Sequence, residues 1–480
     1  MNDLSAPRIV WFRRDLRLSD QAALSAAASS GPVIPVYILD DETPKHRKMG
    51  GASRWWLHHS LAALDESLRA EDSRLILRRG NSATILANIA RRSGAENIHA
   101  IRHYEPWWRN AERALEDALG DDCRLVLHDG NYLRPPGSVT TGGGNPYKIY
   151  TPFWKALREH MPPPEPHPAP QIIATPENWP ESDDLADWKL FPTDPYWASG
   201  FDPVWTPGEE GARAAVDAFT DKATGYDDGR NLPSEDSTSR LSPHLHFGEV
   251  SPGYIWHRVS GRGSDVTTFQ KELAWRDYAQ NVILQFPDYG KANGRDRFDA
   301  LEWRQFRSSA ARGDFEAWRR GRTGYPIVDA GMRQLWATGW MHNRVRMIAA
   351  SFLVKHLLID WREGERWFWN ALVDADYANN AVNWQWIAGT GIDANMFVRI
   401  MAPLVQSAKF DAGGYVRQWV PELAGLGDGV IHDPDEHGVR PEGYPAKIIG
   451  HREARERALE AYGRIKDEPG PIATCYRIRQ

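Results

Sequence analysis

The first 130 residues alternate between short apolar runs and longer amphipathic segments. The runs RIVWF, PVIPVYIL, RLILRR, NIHAIRHY and RLVLH have the length and the branched side chains that are typical of buried strands. Between them lie segments such as SRWWLHHSLAALDESLRA, in which apolar residues recur every three or four positions, as on one face of a helix. Strands that alternate with helices predict a doubly wound parallel sheet. We therefore predict an α/β domain over residues 1–135.

The alternation stops at a proline-rich stretch. Residues 161–207 begin MPPPEPHPAPQ, and proline cannot continue a helix or a central strand. We predict an interdomain connector over residues 136–207. Beyond it the apolar positions recur with a helical period, and the clearest segment, residues 328–358, predicts two helices that meet near Gly339. Residues 208–480 are therefore predicted to form an all-α domain.

Composition excludes several kinds of site. Cys123 and Cys475 are too few for a disulfide framework or a four-cysteine zinc site, and no metal site is predicted. No glycine-rich phosphate motif opens a helix after a strand, although parallel sheets can hold a ligand at their strand ends without one. The chain start has no signal-peptide pattern, and no apolar run is long enough to span a membrane. We expect a cytoplasmic monomer without membrane contact.

Tryptophan and arginine are concentrated in one part of the chain. Ten of the 22 tryptophans lie between residues 275 and 386, and residues 295–346 contain eleven arginines, six acidic residues and no lysine. A guanidinium matches the geometry of phosphate or carboxylate better than an ammonium does, so this composition favours contacts to such groups. Arginines on the exposed faces of ordinary helices would give the same composition, and both interpretations stay open.

Three segments carry polar groups in notable places. In ELAWRDYAQNV, Glu272, Trp275 and Arg276 fall within one helical turn, which suits either a planar ligand or a core tryptophan beside a surface ion pair. In GWMHNRVRM, polar residues interrupt an apolar helix, where they must be paired or functional. The segment TSRLSPHL supplies hydroxyls and backbone N–H groups before a helix start, which suits either an anion or a simple capped loop.

The segment NNAVNWQW places Trp384 and Trp386 two residues apart. On a helix, residues i and i+2 lie on different sides. The two indoles are therefore predicted to face different surroundings and to serve different purposes.

Seven long segments resemble the DNA photolyase/cryptochrome family: WFRRDLRLSD, TSRLSPHLHFGEVSP, ELAWRDY, GRTGYPIVDAGMRQLWATGWMHNRVRM, LLIDWREGERWFW, NNAVNWQW and KFDAGGYVRQWVPEL. The resemblance spans nearly the whole chain and is strongest to bacterial cyclobutane pyrimidine dimer photolyases. It implies an α/β antenna domain, a helical FAD-binding domain, and an enzyme, a deoxyribodipyrimidine photo-lyase. Blue light would drive electron transfer from reduced FAD to the dimer in UV-damaged DNA, which then opens.

The resemblance also implies roles for individual residues. The implied FAD contacts are Tyr226, Thr238, Ser239, Leu241, Ser242, Asn343, Arg346, Asp374, Asp376 and Asn380, of which Asn380 faces flavin N5. The implied pocket for the flipped dimer consists of Glu272, Trp275, Asn343, Met347 and Trp386. Glu272 would hydrogen bond the dimer and stabilise its radical anion. The implied DNA contacts are Arg230, Arg276, Arg344 and Arg399.

The implied electron path departs from the family pattern at its outer end. Trp384 and Trp361 occupy family positions, but the usual spacing from Trp318 leads back to Ser308, which cannot carry an electron. Trp303 takes the outer position if the polar stretch FRSSAARGD is an inserted loop that bulges outward, and such an insertion costs little. We predict a path from Trp384 through Trp361 to Trp303.

A cryptochrome, which has the same fold and flavin but no repair activity, is the alternative interpretation. Position 380 is asparagine where plant-type photoreceptors carry aspartate, the dimer pocket is complete, and no long extension follows the core. The (6-4) photolyases use histidines where this chain has Asn343 and Met347, which favours cyclobutane dimers. A second, antenna chromophore, methenyltetrahydrofolate or a deazaflavin, is expected near KMGGASRWWLHH or HYEPWWRNAER.

Overall fold

The computed structural model of the chain describes residues 6–193, 196–262, 266–394 and 396–466. Cys475 lies outside the described residues. The strands within these ranges are β1 (Arg8–Phe12), β2 (Val33–Leu39), β3 (Ile76–Arg79), β4 (Asn97–Ile101) and β5 (Arg124–His128). They form one parallel sheet in the order β3-β2-β1-β4-β5. The predicted doubly wound sheet is confirmed.

The α-helices within the described ranges follow in chain order. They are α1 (Ala22–Ala28), α2 (Gly51–Ala70), α3 (Ser82–Ser93), α4 (Pro106–Leu119), α5 (Tyr150–Arg158), α6 (Glu209–Lys222), α7 (Tyr226–Gly229), α8 (Ser242–Phe247), α9 (Pro252–Val259), α10 (Val266–Gln285), α11 (Ser309–Arg319), α12 (Pro326–Thr338), α13 (Asn343–Ser351), α14 (Trp361–Ala371), α15 (Tyr377–Ala388), α16 (Pro403–Lys409), α17 (Gly413–Trp419), α18 (Asp428–Ile431) and α19 (His451–Lys466). A π-helical turn, Phe352–His356, continues α13. The predicted helical C-terminal part is confirmed.

Spatial proximity groups the described residues into two compact units. The first unit contains residues 6–227, 237–287 and 369–378, and the second contains residues 228–236, 288–368 and 379–466. The chain passes between the units several times. The domain boundaries predicted at residues 135 and 207 stay a prediction.

In the first unit, the sheet is buried on both faces. Every residue of β2 is buried, as in parallel sheets whose crossover helices cover both sides. One face carries the cluster built on Ile9, Trp11, Ile34 and Ile98, against which α3 and α4 pack. This continuous burial explains why the strands appear in the sequence as unbroken apolar runs.

In the second unit, a glycine separates α12 from α13 as predicted. Gly339 has φ 67°, a left-handed conformation that favours glycine, and its N–H donates to the Leu335 carbonyl. The His342 ring then caps α13 by accepting the Arg344 N–H at 3.2 Å. The prediction that this polar cluster lies inside an apolar helix is therefore wrong at its start, because Asn343 is the first helical residue and is exposed.

The loop expected over FRSSAARGD is also wrong over most of its length. The Ser308 hydroxyl accepts the Ala311 N–H at 3.2 Å and begins α11, and Ala311 is buried. A serine N-cap and one buried alanine are enough to make this polar stretch helical. Trp303 lies in the irregular segment just before it.

Candidate functional site

In the first unit, buried ion pairs fill the carboxyl ends of β1 and β4. The strand order reverses between these two strands, which is where open parallel sheets usually hold a ligand. Arg13 pairs with Glu112 at 2.8 Å, and Arg14 pairs with Glu105 at 2.8 Å, with all four side chains largely buried. The protein's own charges therefore occupy this end of the sheet.

Residues 369–378, which include two predicted flavin contacts, are fastened to the start of α2. The Trp369 indole N–H donates to the Lys48 carbonyl at 2.8 Å, and the Ser53 hydroxyl donates to the Leu372 carbonyl at 3.1 Å. Asp374 and Asp376 are each 9% exposed. The Asp376 carboxylate lies 3.7 Å from the Arg14 guanidinium. These contacts hold the two carboxylates in a fixed, nearly water-free position.

Most of the predicted phosphate and ribityl contacts of the first unit lie in the segment before α8. Arg240 has φ 50°, in the left-handed region, and the N–H of Leu241 donates to the Ser239 hydroxyl at 3.4 Å. Leu241 and Tyr226 are buried, whereas Thr238 and Ser239 are half-buried and Ser242 is exposed. The hydroxyl groups of Thr238, Ser239 and Ser242 therefore stay accessible to a ligand.

Helix α10 presents a flat, partly exposed indole. The Trp275 ring stacks on Tyr150 with centroids 3.7 Å apart and planes 7° from parallel. The Tyr150 hydroxyl donates to the Lys271 carbonyl, one turn earlier on the same helix, at 2.8 Å. Glu272 lies three residues before Trp275 and is also half-buried. Tyr150 fixes the indole in one orientation, and nothing in the sequence pattern marked it.

The next two residues of α10 bind backbone groups of residues 131–134 and of α8. The Arg276 guanidinium donates to the Asn131 carbonyl at 2.6 Å and to the Leu245 carbonyl at 2.9 Å, so it is engaged inside the first unit. Its DNA contact stays a prediction. Asp277 accepts the Arg134 N–H at 3.1 Å, and its second carboxylate oxygen is buried without a hydrogen bond. Burial raises the Asp277 pKa to about 7, despite the neighbouring Arg276.

In the second unit, two predicted DNA contacts lie close together. The Arg344 guanidinium donates to the Asn231 amide oxygen at 2.6 Å and lies over the Phe410 ring at 4.6 Å. Burial and the nearby Arg230 charge lower the Arg344 pKa. Two guanidinium groups that repel each other form the kind of surface that phosphate oxygens stabilise. Arg399 is exposed elsewhere in this unit.

The remaining residues of α13 divide between inward and outward positions. The Arg346 guanidinium donates to the Met341 carbonyl at 2.7 Å, whereas Asn343 is exposed and Met347 is half-buried. The Met347 sulfur lies 3.7 Å from an Arg344 nitrogen. Asn343, Arg344 and Met347 thus share the solvent-reaching part of α13.

Helix α15 separates its two tryptophans as predicted from their spacing. Trp384 is 2% exposed and contacts the rings of Phe368 and Trp318 edge-on, at 5.0 and 6.4 Å, whereas Trp386 is half-buried. The Trp384 ring leaves no room at Gly364, where a Cβ would lie 2.1 Å from the indole. Gly364 is therefore required for the position of Trp384, and no sequence signal marked it.

The two outer members of the predicted electron path lie in the second unit as well. Trp361 is fully buried and donates its indole N–H to Asn293 at 3.0 Å. Trp303 is half-buried and packs against a cluster that includes Phe298 and Leu358. The path stays a prediction.

The orientation of Asn380 tests whether this chain fits a flavin. Its amide nitrogen donates to the Glu365 backbone carbonyl at 3.1 Å and to the Glu365 carboxylate at 2.9 Å. An amide that uses its nitrogen in this way presents its carbonyl oxygen elsewhere, as an acceptor for an N–H such as N5 of reduced flavin. In the first unit, the accessible hydroxyls before α8 and the buried carboxylates of Asp374 and Asp376 also suit groups of FAD, so the residues of each unit, taken by itself, fit the cofactor.

Three further predictions concern a second chromophore, the absence of a metal ion and the absence of a membrane span. Trp55 and Trp56 of α2, in one of the two segments named for the antenna, are buried, and the Trp56 indole N–H donates to Glu249 at 2.8 Å. The antenna chromophore stays a prediction. Among the described residues, no group of three or more His, Cys, Asp or Glu side chains is arranged to hold a metal ion. Within the same ranges, no helix combines the length and apolar character needed to cross a membrane.

Comparison with known proteins places these features in a family. The chain matches the models described as DNA photolyase, over residues 8–171, and as FAD binding domain of DNA photolyase, over residues 269–464. The deoxyribodipyrimidine photo-lyase of Agrobacterium fabrum is 48% identical and covers 96% of this chain and 98% of its own length. Cryptochrome-1 of Arabidopsis thaliana is 36% identical over 95% of this chain and 70% of its own length.

A solved structure agrees with the sequence comparison. The crystal structure of a bacterial class III photolyase from Agrobacterium tumefaciens superposes with a TM-score of 0.91 at 47% identity, over 97% of this chain and 98% of that chain. The predicted fold class, FAD cofactor and deoxyribodipyrimidine photo-lyase class of enzyme are thereby confirmed. The chain belongs to the DNA photolyase family of light-dependent, FAD-containing DNA-repair enzymes.

Proposed function

We propose that this enzyme repairs cyclobutane pyrimidine dimers in UV-damaged DNA under blue light. Reduced FAD, when bound, supplies the light-driven electron that opens the cyclobutane ring and accepts it back afterwards. The protein binds the DNA backbone, receives the flipped dimer, and holds both partners in place. Each of these tasks has candidate residues in one of the two units.

The stacked Trp275 is the observation that carries this proposal. One face of the indole lies on Tyr150 at 3.7 Å, and the side chain stays partly exposed. A ring held in this way is ready to stack on an extruded base without first losing conformational freedom. Glu272, one turn earlier on α10, supplies a carboxyl group that can hydrogen bond the pyrimidine edge. Together they are proposed as the dimer contacts of the first unit.

In the second unit, residues of α13 and α15 are proposed as further contacts to the dimer. Met347 and Trp386 are half-buried, and Asn343 is exposed. A thioether, an indole and an amide suit a neutral dimer, and none of them is a proton donor of the histidine type. This set supports cyclobutane dimers over (6-4) photoproducts as the substrate.

Phosphate contacts are proposed for the arginines of the second unit. Arg230 and Arg344 are proposed for this role because a guanidinium forms charge-assisted hydrogen bonds to phosphate oxygens. Arg399 is proposed as a further contact. Binding through such groups releases counterions and must weaken as salt increases.

A repair assay with matched lesions tests the proposal. Chemically reduced protein is illuminated with blue light together with a duplex that contains one cyclobutane thymine dimer, and the restored strand is measured by chromatography. We expect repair in the light, no repair in the dark, and no repair of the same duplex carrying a (6-4) photoproduct. Unchanged dimer content in the light would contradict repair and favour a light-sensing role of the cryptochrome kind. Repair of the (6-4) duplex alone would overturn the lesion assignment.

A further inference from the structure

A lysine is buried in the second unit where an apolar residue would be expected. Lys355 lies in the π-helical turn after α13 and is 1% exposed. Its amine donates to the Arg399 backbone carbonyl at 2.9 Å and lies 5.5 Å from the centre of the Phe397 ring. Helical turns of this kind are often found at functional sites.

Burying this amine costs free energy, which a specific interaction has to offset. An ammonium group taken out of water is destabilising, and burial lowers the Lys355 pKa to about 7. An apolar side chain of similar length would fill the same space without that penalty. What an apolar side chain could not provide is the hydrogen bond to the carbonyl of Arg399.

The segment that receives this bond, residues 396–402, is irregular and precedes α16. Met396, Val398 and Arg399 in it are exposed. Phe397 points inward and stacks on Tyr462 with centroids 5.2 Å apart. The backbone is therefore fastened at two nearby points, the Phe397 ring and the Arg399 carbonyl.

We propose that Lys355 is a positioning residue for DNA binding. By holding the carbonyl of Arg399, it fixes the direction in which the Arg399 side chain leaves the loop. A guanidinium that is already directed outward loses less conformational freedom when it meets a phosphate. The proposal rests on the proposed function in one respect, the contact between Arg399 and DNA.

A double-mutant cycle on the full-length flavoprotein tests this role. Lys355→Met keeps the apolar stem and removes the donor, and Arg399→Ala removes the guanidinium. Dissociation constants are measured by fluorescence anisotropy on duplexes with and without a dimer. We expect Lys355→Met to weaken binding to both duplexes by roughly 3- to 10-fold, and to have no further effect in the Arg399→Ala background.

Limited proteolysis provides a readout of the loop itself. Trypsin cleaves after arginine, and we expect faster cleavage after Arg399 in Lys355→Met than in the parent protein, identified by mass spectrometry. Lys291→Met is the matched control, because it removes the same charge from an exposed lysine that pairs with Asp288 at 3.4 Å. It should change neither cleavage after Arg399 nor DNA affinity. Lys355→Leu replaces Lys355→Met if the latter does not fold.

The outcomes distinguish the DNA contact of Arg399 from the positioning role of Lys355. If Arg399→Ala binds DNA like the parent protein, the DNA contact is wrong and the proposal for Lys355 is overturned with it. If Arg399→Ala weakens binding but Lys355→Met does not, or if the two effects add fully, Lys355 has no positioning role while the DNA contact stands. Unchanged cleavage after Arg399 in Lys355→Met overturns the anchoring of the loop.

Discussion

Helices α10 and α15 use the same two-residue spacing for different purposes. In α10, the half-exposed Trp275 is followed two residues later by the buried Asp277. In α15, the half-exposed Trp386 is preceded two residues earlier by the buried Trp384. Each helix thus has a partly exposed indole on one side and a buried side chain, which contacts other parts of the protein, on another side.

The buried members show what each helix depends on. Asp277 accepts the backbone N–H of Arg134 through a carboxyl group whose pKa is raised to about 7, so α10 is held by a group that titrates. Trp384 is held by its contact with Phe368 and by the space left at Gly364, so this side of α15 depends on the fit of apolar side chains rather than on a group that titrates. Changes in pH should therefore affect the support of α10, and changes in volume the support of α15.

The largest expected effect is the loss of flavin photoreduction when a tryptophan of the predicted electron path is replaced. Trp361→Phe should abolish photoreduction of oxidised flavin, because phenylalanine is much harder to oxidise than tryptophan, while repair by flavin reduced chemically beforehand should continue. Trp303→Phe should behave in the same way. Absorption spectra under blue light with an external reductant measure the first property, and the dimer assay measures the second.

Trp318→Phe is the control for that experiment. The Trp318 ring contacts Trp384 at 6.4 Å but lies outside the proposed path. If Trp318→Phe blocks photoreduction and Trp361→Phe does not, electrons reach Trp384 through Trp318 instead of Trp361. In that case tryptophans still carry electrons to Trp384, but the predicted path through Trp361 and Trp303 is wrong.

Asp277→Asn should remove a pH dependence of stability. The folded-state pKa is about 7, raised above the ordinary value of 3.8, so this group favours the folded protein below pH 4 and loses that contribution as pH rises towards 7. At roughly 1.4 kcal/mol per pKa unit, the full change is at most about 4 kcal/mol. Urea unfolding at several pH values between 5 and 7.5 should show the variant gaining stability relative to the parent as pH rises. A difference that does not change with pH would show that Asp277 titrates normally.

Gly364→Ala should act through volume. A Cβ at this position would lie 2.1 Å from Trp384 and 2.6 Å from Leu353, so the indole must move, and we expect a loss of about 1–3 kcal/mol in unfolding free energy. Gly463→Ala in α19 is the matched control, because nothing lies within 4 Å of its added Cβ. That variant should gain about 0.5–1 kcal/mol. Equal effects of both substitutions would show that Trp384 is not held by this contact.

Trp275→Ala should reduce the preference for damaged DNA. Loss of base stacking is worth roughly 1–3 kcal/mol, and it should affect the lesion-containing duplex only. Arg344→Ala should instead weaken binding to both duplexes and lower the salt slope by about 1. Tyr150→Phe keeps the stacked ring and should retain the preference. The reverse pattern in anisotropy titrations would mean that the roles of Trp275 and Arg344 are exchanged.

Local patterns in the sequence were sufficient to predict much of the fold. Apolar runs with helical segments between them predict a buried parallel sheet, and Gly339 predicts the break between α12 and α13 because few other residues adopt its backbone conformation. The separation of Trp384 from Trp386 follows from helical geometry alone. At α11 the Ser308 N-cap determines that a helix forms. The polar residues of this stretch led to the prediction of a loop, which is wrong.

Contacts between distant parts of the chain were not predictable in this way. Asp277 meets Arg134, and Lys355 meets Arg399, across 143 and 44 residues of sequence. Neither residue differs in its local pattern from an ordinary surface charge on a helix. Tyr150 beneath Trp275 and Glu365 beside Asn380 were missed for the same reason.

The attachment of residues 369–378 to the start of α2 has a consequence for how the protein is made. Ser53 and its partner Leu372 are 319 residues apart, so at about 5–20 residues per second the ribosome adds the second roughly 15–65 s after the first. Once β5 has been added, the nascent sheet is complete in sequence, but Trp369 and Leu372 are still absent from the start of α2. We expect chaperones to bind this incomplete surface on the ribosome, and the sheet to reach its final stability only late in translation.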